Sequence, residues 1–531
     1  MRRLFTLASI SVLILIAAVS TVFPTVLWSL VIVGPIILIG FYDMVQKSHA
    51  VLRNFPVAGH FRYLFEAIRP EIAQYFIESD TNGVPFSREQ RSAVYQRAKG
   101  VLDTVPFGTK HDIYEVGYEW VNHSLRPLHL DPLDLRITIG GPDCTQPYSA
   151  SILNISAMSY GSLSKNAVRA LNLGAKMDGF VHNTGEGGIS PYHLENGGDL
   201  TWQIGTAYFG CRTPEGDFCP ETFKERVSVP NVKMVEIKLS QGAKPGHGGI
   251  LPAAKLTPEI AEIRNVPLGQ DVLSPSAHTA FSTPIELLEF VVRLRDLSGG
   301  KPIGFKLCVG KRREFLAIAK AMVQTGITPD FITVDGGEGG TGAAPLEFTN
   351  HLGAPLMESL IFVHNTLVGY SIRDRIRVLS SGKITSAFHL IKHLALGADA
   401  CNSARAMMMA VGCIQALKCN SNHCPVGVTT QRPELVAGLV VSDKSQRVAR
   451  YHSEMIKSTS EFLGAMGISE PADLHPWHIM RRTAATETKH YGEIHEFLQD
   501  GQLLNEQDLP ASFKRAALAA SPESFTHSSP D

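Results

Sequence analysis

The sequence predicts an α/β protein in which a closed (β/α)8 barrel, the TIM barrel, follows an N-terminal transmembrane helical hairpin. Residues 150–430 repeat one unit: a short apolar strand, a loop rich in glycine, serine or proline, then a helical segment. The first 42 residues form two apolar runs. Four parts follow from these patterns: two transmembrane helices at 1–43, a mostly helical lead-in at 44–145, the barrel with a cysteine segment at 146–470, and a C-terminal extension at 471–531 whose end we expect to be disordered.

The hairpin is predicted from the two runs themselves, which cover residues 4–23 and 25–42. Each is about 18 to 20 residues long, which is enough for a helix to cross a bilayer. Pro24 lies between them and interrupts helical continuity. The two runs are therefore expected to fold back on each other as a pair of membrane-spanning helices.

Basic residues flank the hairpin on both sides. Arg2 and Arg3 precede it, and Lys47 and Arg53 follow it, so both ends favour the cytoplasm. We expect a protein of the cytoplasmic (inner) membrane whose main domain faces the cytoplasm. Two alternatives remain at this stage. The start Arg-Arg-Leu-Phe resembles a twin-arginine export signal, and the first run has the length of a cleaved signal peptide.

The charge of the chain excludes one class of partner. The 531 residues include 49 lysines and arginines against 50 aspartates and glutamates, which gives a formal net charge of −1. A nucleic-acid-binding protein carries a basic patch or an excess of positive charge. We therefore expect no nucleic-acid partner.

The segments around the barrel carry weaker signals. Stretches of the lead-in such as IRPEIAQYFIES have helical periodicity with a charged face. The stretch LRITIGGPDC has the pattern of a strand that enters the main domain. From about Gln502 the chain is polar, and we expect little order there.

Eight strands are predicted for the barrel, with helical patterns such as KNAVRALNLGAKM and EFLAIAKAMVQTG between several of them. Eight β-α units imply a closed barrel with the helices outside. The predicted strands are SILNISA, GFVHN, KMVEIKL, DVLS, IGFKLCV, FITVD, IRVLS and ADACN.

Glycine-rich loops follow several of these strands. Loops at the carboxyl ends of barrel strands form the active site, and glycines let backbone N–H groups approach a phosphate. The run from Gly337 to Gly342 also matches G-x-G-x-x-G, the dinucleotide fingerprint. That fingerprint requires a helix immediately after it, whereas Pro345 interrupts the chain here. A flavin mononucleotide phosphate site in the barrel therefore fits better than a Rossmann domain.

Three cysteines at short, unequal spacings predict a redox centre. Cys413, Cys419 and Cys424 have the spacing C-x5-C-x4-C, followed by proline, which is typical of an iron–sulfur cluster. A zinc site that adds His423 as the fourth ligand is the alternative, although adjacent residues would have to bend towards one ion. The other cysteines show no partner at ligand spacing and are interpreted as core: Cys144, Cys211, Cys219, Cys308 and Cys401.

Several ordered motifs together resemble the FMN-binding synthase domain of glutamate synthase over about residues 145–470. They are MSYGSLSKNAVRAL, NTGEGG, IKLSQGAKPGHGG, VDGGEGGTGAAP and GCIQALKCNSNHCPVGVTTQ. The resemblance implies a barrel that binds FMN and a 3Fe-4S cluster, the latter held by the three cysteines. It also implies reductive amination of 2-oxoglutarate to glutamate through 2-iminoglutarate.

The resemblance assigns residues to each ligand. Lys238 and Lys306 lie inside apolar strands, where lysines are rare without a partner, and are expected to contact the flavin ring. For 2-oxoglutarate the corresponding residues are Glu186, Lys244 and Arg264, although Arg264 has the alternative of a helix-surface charge. The expected catalytic residues are Glu186, Lys238 and Lys244. The remaining FMN contacts are expected at Met158, Ser159, Tyr160, Gly161, Gly339, Gly340, Thr341, Gly342, Ser381 and Gly382.

One loop departs from the family pattern. It contains GHGGILP where the family tends to carry GEGGQLP, so that His247 and Ile250 replace polar groups near the keto acid. Because Ile250 cannot form a hydrogen bond with a carboxylate, the departure bears on the identity of the substrate more than on the flavin.

Full-length glutamate synthases begin with a glutaminase whose nucleophile is an N-terminal cysteine. The first cysteine here is Cys144, so we expect no glutaminase domain. We also expect no glycine-repeat domain. Ammonia is then expected free or from a separate amidotransferase, and electrons from ferredoxin or a flavoprotein subunit. Two alternatives to glutamate synthesis remain. One is a related flavin enzyme for another keto acid or amine, such as N-methylglutamate synthesis; the other is a non-catalytic electron-transfer or membrane scaffold subunit.

Overall fold

A computed structural model describes residues 1–101 and 104–526. The chain forms two compact units, Met1–Arg88 and a second that begins at Glu89. The smaller unit is helical, and the larger one contains all the strands.

The small unit consists of α1 (Arg2–Ser20), α2 (Leu30–Val45), α3 (Ala50–Asn54) and α4 (Gly59–Ile72). A 3-10 turn at Pro24–Ser29 joins α1 to α2, which is consistent with the predicted hairpin. The rings of Phe5 and Phe41 meet edge to face at 5.9 Å between the two helices. By length and mean hydropathy, 2.1 for Arg2–Ser20 and 2.2 for Pro24–Val45, both segments are long and apolar enough to cross a membrane.

The large unit is built around a closed barrel of eight parallel strands, in the spatial order β4-β5-β6-β7-β10-β11-β12-β13. This confirms the predicted (β/α)8 fold. In chain order the strands are β1 (Glu119–Val121), β2 (Arg136–Ile139), β3 (Tyr148–Ser151), β4 (Leu153–Ile155), β5 (His182–Asn183), β6 (Leu200–Ile204), β7 (Val232–Lys238), β8 (Ile250–Leu251), β9 (Val272–Leu273), β10 (Ile303–Cys308), β11 (Phe331–Asp335), β12 (Arg377–Ser381), β13 (Ala400–Ser403), β14 (Ile479–Ala484) and β15 (Glu487–His490).

One of the eight predicted strands was wrong. The segment DVLS contains β9, which pairs antiparallel with β8 outside the barrel. The third barrel strand is instead β6, with the sequence LTWQI, between β5 and β7. Its five residues are all buried, but two of them, Thr201 and Gln203, are polar. Gln203 forms a hydrogen bond with a carboxylate inside the barrel, so a polar residue interrupts the apolar pattern by which the strand could be recognised.

The helices of the large unit lie before, between and after the strands. α6 begins where the Ser164 hydroxyl accepts a hydrogen bond from the Ala167 N–H, and it ends at Gly179 in the left-handed conformation. The helices are α5 (Arg88–Lys99), α6 (Lys165–Asp178), α7 (Pro191–Leu194), α8 (Pro220–Val227), α9 (Pro258–Arg264), α10 (Pro284–Leu297), α11 (Arg312–Thr325), α12 (Leu346–His351), α13 (Leu356–Gly369), α14 (Ala387–Ala395), α15 (Arg405–Val411), α16 (Pro433–Val436), α17 (Val441–Met466), α18 (Tyr491–Ile494) and α19 (Ala511–Ala519).

The N-terminal end of the barrel is closed by the antiparallel ribbon β2–β3. Ile139 and Ala150 of this ribbon pack in one buried cluster with residues at or beside the starts of the barrel strands, among them Val181, Phe331 and Ala400. This end is therefore a packed apolar floor, which leaves the opposite end for chemistry.

Two boundary expectations need correction. The lead-in is helical only as far as Lys99; in the described residues from 104 to 145 the regular elements are a 3-10 turn and strands β1 and β2. Proline and glycine recur there and disfavour a helix.

The tail is more ordered than expected, since α19 lies after Gln502 and Lys320 donates hydrogen bonds to the carbonyls of Ala517 and Ala520. The expected disordered end, at 527–531, lies outside the described residues.

Candidate active site

Two buried lysines lie side by side at the carboxyl end of the barrel. Lys238 ends β7, and the register of β7 and β10 pairs it with Lys306. The Lys306 Nζ lies 3.1 Å from the Asp335 Oδ2 at the end of β11. Burial alone would lower the pKa of Lys306, but Asp335 and Glu236 outweigh it and raise this pKa above its usual value. Lys306 is therefore held as a cation inside the barrel.

Glu186 and Lys238 form a buried ion pair. Glu186 follows β5 in the loop NTGEGG, and its Oε1 lies 2.7 Å from the Lys238 Nζ. Burial raises the pKa of Glu186, but the charges of Lys238, Arg264 and Lys244 reverse this and lower the pKa below its usual value. Glu186 is therefore a carboxylate at neutral pH.

Lys244 is a buried cation without a partner. Its side chain is 3% exposed, and its Nζ forms no hydrogen bond or ion pair with any residue in the described ranges 1–101 and 104–526. Burial lowers the pKa of Lys244 to about 8, although Glu186 raises it. Lys244 lines a cavity of about 20 Å³ together with Glu186 and Lys238. This volume holds about one water molecule.

Arg264 lies deeper than a helix-surface charge. Its guanidinium is 5% exposed, stacks over the Phe209 ring at 5.0 Å, and donates a hydrogen bond of 3.0 Å to the carbonyl of Tyr160. The backbone of two glycines also lies close to this guanidinium: a Cβ added to Gly161 would be 3.1 Å from the Arg264 Nη2, and a Cβ added to Gly187 would be 2.9 Å from the same atom. The arginine therefore supports two site loops and also lies within electrostatic range of Glu186.

The polar layer beneath the lysines was not predicted. The Glu236 carboxylate, on β7, accepts hydrogen bonds from Asn183 on β5 at 2.8 Å, Gln203 on β6 at 2.7 Å and Thr333 on β11 at 2.6 Å. Only the barrel register brings these four side chains together. Alternation of polar residues inside the strands β6 and β7 was the one signal in the sequence.

The residues expected to bind the flavin phosphate lie beside two cations. A Cβ at Gly340 would lie 3.1 Å from the Arg405 Nη1, and Arg405 donates a hydrogen bond to the Glu338 carbonyl. Lys383 is within electrostatic range of Arg405. Across the same end of the barrel, the hydroxyls of Ser381 and Ser156 are 3.0 Å apart. Arg405 was missed because its position depends on the packing of α15.

The remaining expected flavin contacts are brought to the same end. Met158 and Tyr160 are buried, and a Cβ at Gly185 would lie 2.5 Å from the Ser159 amide nitrogen. The loop from Met158 to Gly161 therefore packs directly on the loop that carries Glu186.

Two glycine loops cross the site in contact. Any Cβ on Gly242 would overlap the carbonyl oxygen of Gly336. The Gly242 N–H also donates a hydrogen bond to the Asp335 carboxylate at 3.1 Å. Glycine at this position therefore allows the loop with Lys244 to approach the end of β11.

We expect Gly242→Ala to destabilise the protein by about 1–3 kcal/mol, because the methyl group forces the two backbones apart. Gly310→Ala is the matched control, since a Cβ there meets nothing within 4 Å. The apparent melting temperature of the purified protein in detergent measures both. Equal melting temperatures for the two variants would contradict the described loop contact.

The three cysteines of the C-x5-C-x4-C segment lie near one another after α15. The thiols of Cys419 and Cys424 are in electrostatic range of Cys413. Burial raises the pKa of the Cys424 thiol, but hydrogen bonds from the Thr429 side chain and from nearby backbone N–H groups lower it overall. Lys255, which is 3% exposed and was not predicted, is in electrostatic range of Cys419 and Cys424.

The arrangement disfavours the zinc alternative. His423 is exposed, its Nδ1 lies 2.6 Å from the Ser421 carbonyl oxygen, and the neighbouring Cys424 is buried. Within the part of the chain that the structure describes, no three histidine, cysteine or carboxylate side chains converge on a single-ion site. The cysteines of an iron–sulfur cluster bind different irons, so they need not converge in this way.

The two departures from the family pattern lie at different places. The His247 ring meets the Phe348 ring edge to face at 5.2 Å, and its Nδ1 is buried without a hydrogen bond to any described residue. Ile250 pairs with Leu273 in the ribbon β8–β9. Between them, a Cβ at Gly249 would lie 2.7 Å from the Glu186 Oε1, so this loop packs against the buried ion pair.

Known proteins resemble this chain over most of its length. The "Glutamate synthase large subunit-like protein YerD" of Bacillus subtilis is 37% identical over 481 residues, which cover 83% of this chain and 91% of that protein. Two shorter matches, each covering 59% of this chain and 59% of the relative, are archaeal-type glutamate synthase (NADPH) of Thermotoga neapolitana, 34% identical, and archaeal glutamate synthase (NADPH) of Methanocaldococcus jannaschii, also 34% identical.

Solved structures match more distantly. A flavocytochrome b2 variant has a TM-score of 0.43 at 12% identity and covers 83% of this chain and 96% of its own. A mandelate oxidase variant has a TM-score of 0.39 at 15% identity, and the match covers 82% of this chain and 98% of the mandelate oxidase chain. Likeness at this level carries no information about function. The conserved region of glutamate synthase, by contrast, matches residues 142–469, and this chain therefore belongs to the glutamate synthase family.

Proposed function

We propose that this protein is an FMN- and iron–sulfur-dependent oxidoreductase that converts 2-oxoglutarate, ammonium, two externally supplied electrons and two protons into L-glutamate and water through 2-iminoglutarate. The observation that carries the proposal is the buried, unpartnered Lys244 beside the Glu186–Lys238 pair. A buried cation that forms no direct hydrogen bond or ion pair is costly, and an anionic ligand that contacts it lowers that cost. A keto acid with two carboxylates supplies such an ion.

The residues at the barrel end suit FMN. Arg405 and Lys383 beside Gly340 provide positive charge for a phosphate, and the glycines leave backbone N–H groups accessible. Lys238 and Lys306 provide cations where the flavin ring of the family lies. When bound, FMN supplies the hydride for imine reduction. The two lysines then stabilise negative charge at the ring.

The substrate-side residues have separate roles. The Lys244 ammonium holds a substrate carboxylate, and its pKa of about 8 also allows its Nζ to give or take a proton near neutral pH as the imine forms. The Glu186 carboxylate accepts N–H hydrogen bonds from the incoming ammonium and orients it. Lys238 fixes the Glu186 side chain through the 2.7 Å contact. Arg264 supports the loops of Tyr160 and Gly187 and adds positive charge beside Glu186.

The cysteine segment is suited to a 3Fe-4S cluster held by Cys413, Cys419 and Cys424. Donors around the Cys424 sulfur and the nearby Lys255 favour thiolates. A Cβ at Gly342 would lie 3.5 Å from the Cys419 carbonyl oxygen, so the cysteine segment touches the loop assigned to the flavin phosphate. A bound cluster supplies one-electron transfer. The electrons come from ferredoxin or a flavoprotein subunit, and the ammonia is free or comes from a separate amidotransferase.

A second candidate is a related reaction on another keto acid or amine, such as N-methylglutamate synthesis. Ile250, in the loop where the family tends to have a polar residue, favours this candidate. An isoleucine side chain tolerates a methyl group better than it tolerates a carboxylate.

Reoxidation of the reduced protein distinguishes these functions. The purified protein, reduced anaerobically, is mixed with 2-oxoglutarate and either ammonium or methylamine, and flavin absorbance is followed. We expect 2-oxoglutarate together with ammonium to reoxidise the flavin at least tenfold faster than buffer alone or 2-oxoglutarate alone. Faster reoxidation with methylamine would support the second candidate. No reoxidation with any pairing of keto acid and amine would leave the scaffold alternative.

The hairpin is proposed to anchor the protein in the cytoplasmic membrane, with the barrel on the cytoplasmic side. Alkaline phosphatase is active only when exported. We expect a fusion after Phe23, in the hairpin turn, to be active, and a fusion after His60 to be inactive. Green fluorescent protein at the same two sites should give the reverse pattern. An active phosphatase after His60 would favour an export signal and contradict the cytoplasmic location.

A further inference from the structure

A stripe of apolar side chains on α4 is exposed. Phe61, Leu64, Phe65 and Ile68 are 60%, 52%, 58% and 38% exposed, respectively. Their spacing of three and four residues places them on one face of the helix. Soluble proteins rarely leave a continuous apolar stripe of this kind in water.

The rest of α4 is polar and charged, with two arginines and two glutamates. Arg62 and Glu66 form an exposed ion pair of 2.9 Å beside the stripe, and Arg69 lies two turns after Arg62. The helix continues into a π-helical turn, Ala73–Ile77, whose Phe76 and Ile77 are 84% and 73% exposed. Apolar exposure therefore extends beyond α4 itself, and basic residues border it.

The start of α4 is tied to the end of the second apolar helix. The Asp43 carboxylate, fully buried near the end of α2, accepts a hydrogen bond from the Val57 N–H at 2.9 Å. It also contacts the His60 Nε2 at 2.9 Å. If α2 crosses the bilayer, as proposed above, α4 begins at the cytoplasmic membrane surface.

We propose that α4 is an interfacial helix that lies flat on the cytoplasmic leaflet, with its apolar stripe among the acyl chains and its arginines among the lipid phosphates. This inference rests on the proposed membrane hairpin. At 14 residues α4 is about 21 Å long, too short to span the bilayer. A helix with one apolar face and charged residues on the other is typical of membrane-surface binding. Bilayer lipid fits the stripe better than a second copy because the stripe follows directly from the apolar hairpin.

Photo-crosslinking of the full chain in vesicles of phosphatidylethanolamine and phosphatidylglycerol tests this. p-Benzoylphenylalanine is introduced separately at Phe65 on the stripe, at Glu66 beside it, and at Leu38 in α2, which is 71% exposed. All three positions are exposed, so the substitutions leave packing unchanged. We expect lipid adducts at positions 38 and 65, with at least fivefold less at 66.

The outcomes separate the two proposals. A lipid adduct at position 38 without one at 65 would overturn the interfacial helix and leave the hairpin. Equal lipid adducts at 65 and 66, or a crosslink from 65 to a second copy of the chain, would also overturn it. The absence of lipid adducts at both 38 and 65 would overturn the membrane hairpin, and the interfacial helix with it.

Discussion

Lys238→Met is expected to reduce glutamate formation at least a hundredfold and to destabilise the protein by about 3–5 kcal/mol. The substitution leaves Glu186 as a buried carboxylate without its partner at 2.7 Å, and breaking one side of a buried ion pair has a cost of this size. The pKa of Glu186 should rise, because Lys238 is the largest charge that lowers it. Turnover and the free energy of unfolding measure the two effects.

Two further variants make this test specific. Lys233→Met changes a half-exposed lysine on the same strand, β7, whose contact with Asp199 is 3.7 Å, and is expected to cost less than about 1 kcal/mol. The double variant Glu186→Gln/Lys238→Met removes both charges and should recover part of the lost stability without recovering turnover. If Lys238→Met behaved like Lys233→Met in both measurements, the site would be wrongly assigned.

Serine at Cys413, Cys419 or Cys424 is expected to lower the iron and acid-labile sulfide content at least fivefold. Each cysteine supplies one thiolate, and a cluster with a missing ligand is lost or degraded. Cys219→Ser is the control, because its sulfur lies outside the cysteine segment and forms hydrogen bonds with the Thr222 hydroxyl at 3.3 Å and the Glu221 carboxylate at 3.5 Å, which a serine hydroxyl can also form. Metal analysis and EPR spectra after anaerobic purification provide the measurement.

The same spectra address the alternatives for the cysteine segment. A three-iron cluster gives an EPR signal in its oxidised state, which each of the three variants should lose and Cys219→Ser should keep. One zinc ion per chain, together with a colourless protein, would contradict the proposed cluster.

The barrel could be predicted from the sequence because most of its strands are short apolar runs before glycine-rich loops. The prediction failed where a strand faces a polar interior. β6 carries Gln203, which contacts Glu236 inside the barrel, whereas DVLS has the apolar pattern of a strand but pairs in a surface ribbon. Burial and register, which decide between the two segments, are tertiary properties.

The site was predictable only in part. The ordered motifs placed Glu186, Lys238 and Lys244 on loops and strand ends that the structure brings around one cavity. Asp335, the partner of Lys306, lies in the motif VDGGEGGTGAAP, but the sequence does not mark it as an ion-pair partner, because the pairing depends on which strands are neighbours. Arg405 and Lys255 reach the site from α15 and from the segment before α9, and no local pattern marks either residue.

Product analysis with isotopic nitrogen tests the central claim most directly. Anaerobically purified protein with its cofactors, given reduced ferredoxin, 2-oxoglutarate and [15N]ammonium, should form one 15N-labelled L-glutamate for every two electrons consumed. The Lys244→Met variant, which lacks the unpartnered cation, should form at least a hundredfold less. Consumption of electrons without labelled glutamate, or equal product from Lys244→Met, would contradict the proposed reaction.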